Sequence, residues 1–172
     1  MGCTRFVSPA EGAVTSASVV CRQAAAGDLQ ALLELDRLCF GRHAWSVRAW
    51  FEVVTLPEWT TVVLAEGQEI VAASVLLPAA PVSWLASVAV RPSHRRKGLG
   101  RALLRDAVAR ARAASARWLS LEVDHVNRVA VELYLREGFR PLRRFREDRR
   151  WRQEMVRRLG GRGTVRSGSA GT

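Results

Sequence analysis

The residues best suited to chemistry lie in one stretch, Val88–Leu104, which reads VAVRPSHRRKGLGRALL. A β-branched run leads into a loop holding Gly98 and Gly100, and the loop opens into a segment of helical spacing. Backbone amides at a helix N-terminus are free donors, and the helix dipole favours negative charge there. Glycines let a ligand approach the backbone closely, and Arg95, Arg96, Lys97 and Arg101 add cations around the loop. Such a loop would cradle a pyrophosphate. The dinucleotide fingerprint requires a third glycine at position 103, where Leu103 stands, and a βαβ unit early in the fold, whereas here three strands come before that unit. The phosphate loop of nucleotide hydrolases requires Gly-Lys-Ser/Thr, which is absent. NAD and ATP are therefore both disfavoured. The pattern that remains is Gln/Arg-x-x-Gly-x-Gly/Ala, present as Arg95-Arg96-Lys97-Gly98-Leu99-Gly100.

Elements that could position this loop can be read around it. Val19 and Val20 lie in a short strand, Ser18–Gln23. Asp28 is a candidate N-cap for a helix carrying Leu29, Leu32, Leu33, Leu35, Leu38 and Cys39, and Ser46 for a second. Cys39, on that apolar stripe, is expected in the core. Thr60–Ala65 and Ile70–Leu77 flank a turn at Glu66-Gly67-Gln68, a hairpin signal, and Trp84–Val90 is a third run. Beyond the loop, Leu103, Leu104, Ala107, Val108 and Ala111 mark one helix face. In the strand Arg117–Val123, Leu119, Leu121 and Val123 share one face, so Glu122 points to the other. Asn127 opens a further helix that Gly138 ends, and Tyr134, the only tyrosine, sits at the edge of its apolar stripe. Strands near Phe139–Arg146 and Arg150–Arg158 complete an order β-α-α-β-β-β-α-β-α-β-β, an α/β sheet of mixed direction.

With the loop and its flanking elements in view, the sequence resembles the GNAT superfamily of N-acetyltransferases, whose loop of this pattern binds the pyrophosphate of acetyl-CoA. Val88-Ala89-Val90-Arg91-Pro92 looks like the family's fourth strand. Leu121-Glu122-Val123, Asn127, Ala130, Leu133-Tyr134 and Gly138-Phe139 resemble the second signature of the RimI branch, the ribosomal-protein-alanine N-acetyltransferases, and Trp45-Ser46 is similar to that branch too. The likeness implies a mixed, mostly antiparallel sheet of about six to seven strands flanked by about four helices. It implies acetyl-CoA as co-substrate, held by Val88, Ala89, Val90, Arg95, Arg96, Lys97, Gly98, Leu99, Gly100, Arg101 and Asn127, with no metal. Glu122 matches the proposed base, with His125 as its rival, and Tyr134 matches the acid that protonates the leaving thiolate. The implied acceptor is a protein N-terminal α-amine; a polyamine, amino acid or antibiotic amine is the alternative. Arg143–Arg152 departs from the branch, being shorter than its counterpart and lacking tyrosine.

Composition bounds the rest. The 172 residues fit one domain, expected over 18–159, with tails at 1–17 and 160–172. No apolar run approaches the roughly 18 residues of a membrane span, and Met1–Ala17 lacks the apolar core of a secretory signal. Three cysteines without paired spacing make a disulfide framework unexpected, so a cytoplasmic protein, monomer or homodimer, is the default. Charge is uneven: residues 1–90 balance to −3 and residues 91–172 to +14, within a total of +11. Eleven arginines from Arg140 to Arg166 stand against three acids, with Phe145 and Trp151 among them, so a nucleic-acid-binding module is a further alternative.

Overall fold

The computed structural model describes residues 18–160; apart from Gly160, the two expected tails lie outside the described residues. The elements are β1 (Val19–Gln23), α1 (Leu29–Phe40), α2 (Val47–Thr55), β2 (Thr60–Glu66), β3 (Glu69–Leu77), β4 (Val82–Val90), α3 (Leu99–Ala113), β5 (Trp118–Asp124), α4 (Arg128–Arg136), β6 (Arg140–Glu147) and β7 (Arg150–Arg158). They follow the order read from the sequence. The seven strands form one sheet in the order β1-β2-β3-β4-β5-β7-β6. Only β4 and β5 pair in parallel; all other neighbours are antiparallel.

Local chemistry explains the boundaries. Ser46 caps α2, its Oγ accepting from Ala49 N at 3.2 Å. Asn127 caps α4, accepting from Ala130 N at 3.2 Å. Asp28 does not cap α1. Its carboxylate instead accepts from Ala25 N at 2.8 Å and pairs with Arg22 at 2.6 Å, so an ion pair with β1 outcompetes the helix amides. Hydrogen bonding to Arg22 holds the Asp28 carboxyl below its usual range despite partial burial. Gly138 takes φ +85° past the end of α4, where Phe139 N bonds Tyr134 O at 3.0 Å.

Helices cover both faces of the sheet. Leu32, Leu33 and Leu35 of α1 and Trp50 and Val53 of α2 pack on Val63, Ile70, Ala73, Val75 and Ala89. On the opposite face, Leu104, Ala107, Val108 and Ala111 of α3 join Leu119, Leu121, Val123, Tyr134, Phe139 and Met155. Cys39 is half-buried at the edge of the first cluster. Phe139 is fully buried and its ring centroid lies 5.8 Å from that of Tyr134. Phe139→Ala should therefore destabilise the chain by about 3–5 kcal/mol, read as a lower midpoint in urea at unchanged slope.

The feature that shapes the centre is a fork. Val82–Leu85 pair with Trp118–Leu121, and the pairing ends there. Opposite β3, the register slips so that Val75 faces Ser87 while Leu76 faces Leu85, leaving Ala86 as an extra residue. A bulge bends its strand and raises its twist. Beyond it β4 and β5 diverge, leaving Val88, Ala89 and Val90 paired to β3 alone.

Candidate active site

The loop after β4 is tied down at several points. Arg91 N bonds Val71 O at 2.8 Å, and the Arg91 guanidinium lies 2.9 Å from Glu69 and 3.3 Å from Glu34. His94 Nε2 lies 2.9 Å from Glu66. The Val90 carbonyl accepts from Arg95 Nε at 3.2 Å and from the Cys39 thiol at 3.3 Å. Burial pushes the Cys39 pKa up, which keeps it a thiol and a donor here.

Two glycines do separate jobs. Gly98 stands at φ +82° immediately before α3, and a Cβ there would meet nothing within 4 Å. Its surroundings are open, as an anion cradle must be. The first helical bond runs from Ala102 N to Gly98 O at 3.0 Å, so the amides of Leu99, Gly100 and Arg101 have no intrahelical acceptor. Gly100 serves packing: a Cβ there would lie 3.3 Å from Leu133 Cδ2 and 3.7 Å from Val90 Cγ2. Arg96 and Lys97 are exposed and make no ion pair among the described residues. The Arg101 side chain instead meets Glu137 at 2.6 Å, with Arg105 at 3.9 Å from the same carboxylate. That side chain ties α3 to α4, while its backbone amide remains among the free ones.

Glu122 lies just past the end of the β4–β5 pairing, on the half of β5 that pairs with β7 alone, and is half-buried. Its carboxylate is 3.5 Å from Arg152, which lies 3.5 Å from Glu147 as well and has a buried Nε with no hydrogen-bond partner. Glu154 stands opposite Glu122 in register and meets Arg143 at 2.5 Å. Asp124 pairs with Arg150. Tyr134 approaches from the other side of the sheet, among Leu121, Val123 and Phe139. Burial pushes its pKa up to about 12. Leu85 and Leu121 are the last paired residues of β4 and β5, so Val88–Val90 and Glu122 all lie beyond the end of that pairing. His125 sits in the turn after β5, its N bonded to Trp151 O at 2.9 Å. His43, after α1, is held below the usual histidine range by desolvation and by Arg150 and Arg42. A cavity of about 430 Å³ lined by Arg117, Trp118, Arg158 and Gly160 lies at the opposite, paired end of β5 and includes none of these residues. Among the described residues no group of three or more His, Cys, Asp or Glu could hold a metal ion, and no helix is long and apolar enough to cross a membrane.

The fork, the glycine loop and the helix that follows it fall within a stretch that matches a known family. The model of the acetyltransferase (GNAT) family matches residues 29–139. The chain belongs to the GNAT acetyltransferase family. As a member, it is an acetyl-CoA-dependent N-acetyltransferase. The fold is similar to that of the ribosomal-protein-S18-alanine N-acetyltransferase from Escherichia coli, with TM-score 0.78 and 22% identity, covering 86% of this chain and 97% of that one. It is also similar to Arabidopsis thaliana NAA60 in complex with acetyl-CoA, with TM-score 0.75 and 16% identity, covering 83% and 99%. Streptothricin acetyltransferase from Streptomyces lavendulae is 48% identical over 52 residues, which are 30% of this chain and 28% of that protein.

The residues of this GNAT acetyltransferase fit its co-substrate. An open glycine cradle faces free amides, and β4 offers an unpaired edge beside it. Acetyl-CoA supplies an acetyl thioester and a thiolate leaving group. Sequence reasoning singled out Glu122 and Tyr134 but not the ion pairs around Glu122. The signal for them was the alternation of Arg150, Arg152 and Glu154 on one strand face, which places them beside Glu122 and Asp124 only once β7 is known to pair with β5. The tie from Arg101 to Glu137 spans 36 residues and had no local signal.

Proposed function

We propose that the acceptor is a protein N-terminal α-amine and that Glu122 and Tyr134 carry the proton transfers, in the manner of the RimI branch. The supporting observation is the placement of these two groups on opposite faces of the sheet at the mouth of the fork. Glu122, directly or through one water, takes the proton of the amine as its nitrogen bonds to the acetyl carbon. Tyr134 gives a proton to the sulfur as the carbon–sulfur bond breaks. Backbone amides in Val88–Val90 donate to the carbonyl oxygen as it gains charge. The pyrophosphate rests on the amides after Gly98, with Arg95, Arg96 and Lys97 around it and Asn127 at the start of α4.

An α-amine titrates near 8 and a lysine near 10.4, so at neutral pH an N-terminus needs far less help from a base. The β6–β7 connection is a two-residue turn at Asp148 and Arg149, both at positive φ, so no loop from this hairpin folds across the β5 end. Acetylation of protein N-termini with acetyl-CoA fits a cytoplasmic setting. The second reading, a small-molecule amine, is favoured by the identity shared with streptothricin acetyltransferase.

Acetyl-CoA consumption should be measured with peptides of varied N-termini and with small amines including polyamines. Turnover on peptides beginning with Ala or Ser is expected. Turnover on small amines alone would overturn the acceptor assignment and leave the family chemistry standing. Glu122→Gln should lower kcat/KM by about 10²-fold at pH 6.5 and by less than tenfold at pH 9, because the acceptor loses its proton unaided as pH rises. A loss uniform across that range would make Glu122 a positioning residue.

A further inference from the structure

The cations at the turn end of the β6–β7 hairpin are sorted by face. On the face shared with Glu122, Arg143 pairs with Glu154, Arg150 with Asp124, and Arg152 with Glu122 and Glu147, whereas Arg140 and Arg158, at the far end of the hairpin, make no ion pair among the described residues. The opposite face is set by Gln153 and Met155, which are buried toward α3 and α4. Register puts Arg144 opposite Gln153 and Arg146 opposite Trp151, so Arg144, Arg146, Trp151 and Arg157 share that side. Arg144, Arg146 and Arg157 make no ion pair among the described residues. The acids of neighbouring α4 are already engaged, Glu132 with Arg136 and Glu137 with Arg101 and Arg105. Arg149 in the turn adds a cation and Asp148 an acid. Trp151 is 55% exposed opposite Arg146, and β6 is the outer edge strand of the sheet.

We propose that this face binds single-stranded nucleic acid, phosphates on Arg144, Arg146 and Arg157 and a base stacked on Trp151. An acidic protein surface would satisfy the charges, but it would leave the exposed indole beside Arg146 without a role. A flat aromatic flanked by guanidinium groups is what a strand with free base faces requires. The proposal does not depend on the acetyl acceptor.

Anisotropy of a fluorescein-labelled uridine 12-mer tests it with the full chain. Neutralising about three phosphates predicts a slope of log K against log salt near −2, so affinity should fall about 16-fold between 50 and 200 mM salt. Arg144→Ala with Arg146→Ala should bring the slope near −0.7. Trp151→Ala should weaken binding about tenfold at unchanged slope. Arg117→Ala with Arg158→Ala, a charge-matched pair at the far end of β5, should leave binding unchanged. The hairpin variants should keep the wild-type rate of acetyl-CoA consumption, which shows that they fold. No saturable binding at 50 mM salt, equal loss in both arginine pairs, or tighter binding of polyglutamate of the same charge would each overturn the proposal; the last would assign the face to an acidic protein.

Discussion

Gly98→Asp is expected to weaken acetyl-CoA binding at least a hundredfold while the chain still folds. Two effects act at this position. The backbone sits at φ +82°, a region that Asp and Asn enter more readily than other side chains, at a cost of about 1 kcal/mol. Space is not the issue, because a Cβ there would touch nothing within 4 Å. The larger effect is electrostatic. A carboxylate about 5 Å from a phosphate charge, at an effective dielectric constant near 20, repels it by about 3 kcal/mol, or about a hundredfold. Gly98→Asn separates the two effects, since it has the shape and the strain without the charge. Calorimetric titration with CoA should show a small loss for Asn and a large loss for Asp that shrinks as salt is added. Equal affinity of the two variants would remove the pyrophosphate from this loop.

Tyr134→Phe should lower kcat at least tenfold and leave the Kd for acetyl-CoA within a factor of two. The phenol holds its proton up to about pH 12 because it is buried. It is therefore a donor throughout the working range, and kcat should show no falling limb from Tyr134 between pH 7 and pH 10. An ordinary thiol titrates near 8.5, which would make proton transfer from so weak an acid uphill. The same desolvation that raises the phenol would raise a thiol brought beside it, and the gap narrows. Burial therefore matches donor and acceptor only when both are in the site. No hydrogen bond to the hydroxyl is present among the described residues, and burial is the only cause of its shift, so its removal should change stability by less than about 0.5 kcal/mol. A tenfold loss of turnover without loss of stability would distinguish this role from packing. Unchanged turnover would remove Tyr134 from it.

What the sequence showed of this fold divides by distance along the chain. The α3 stripe from Leu103 to Ala111, the caps at Ser46 and Asn127 and the turn at Gly138 depend on neighbours within a few residues, and all were legible. So was the glycine loop leading into α3, because its glycines and the helix start lie side by side there. The bulge at Ala86 was not legible, since alternation in Trp84–Val90 looks the same with or without an extra residue. Asp28 and Arg101 were assigned from local pattern and found other partners. Asp28 found Arg22 six residues away and Arg101 found Glu137, and only the folded arrangement brings them together. Glu122 and Tyr134 were named through a family likeness. Their placement on opposite sides of the fork required the strand order.

That strand order also bears on how the protein is made. Strands β1 to β4 pair consecutively and antiparallel, so this half can assemble as it leaves the ribosome. The second half cannot. Strand β7, the last in chain order of the described elements, inserts between β5 and β6 and brings Arg152 to Glu122. Until residues 150–158 emerge, β5 has an open edge on that side and the candidate base lacks its ionic partner. A nascent chain halted before β7 would hold a formed glycine loop beside a Glu122 without its ionic partner, with an unpaired edge open to other chains.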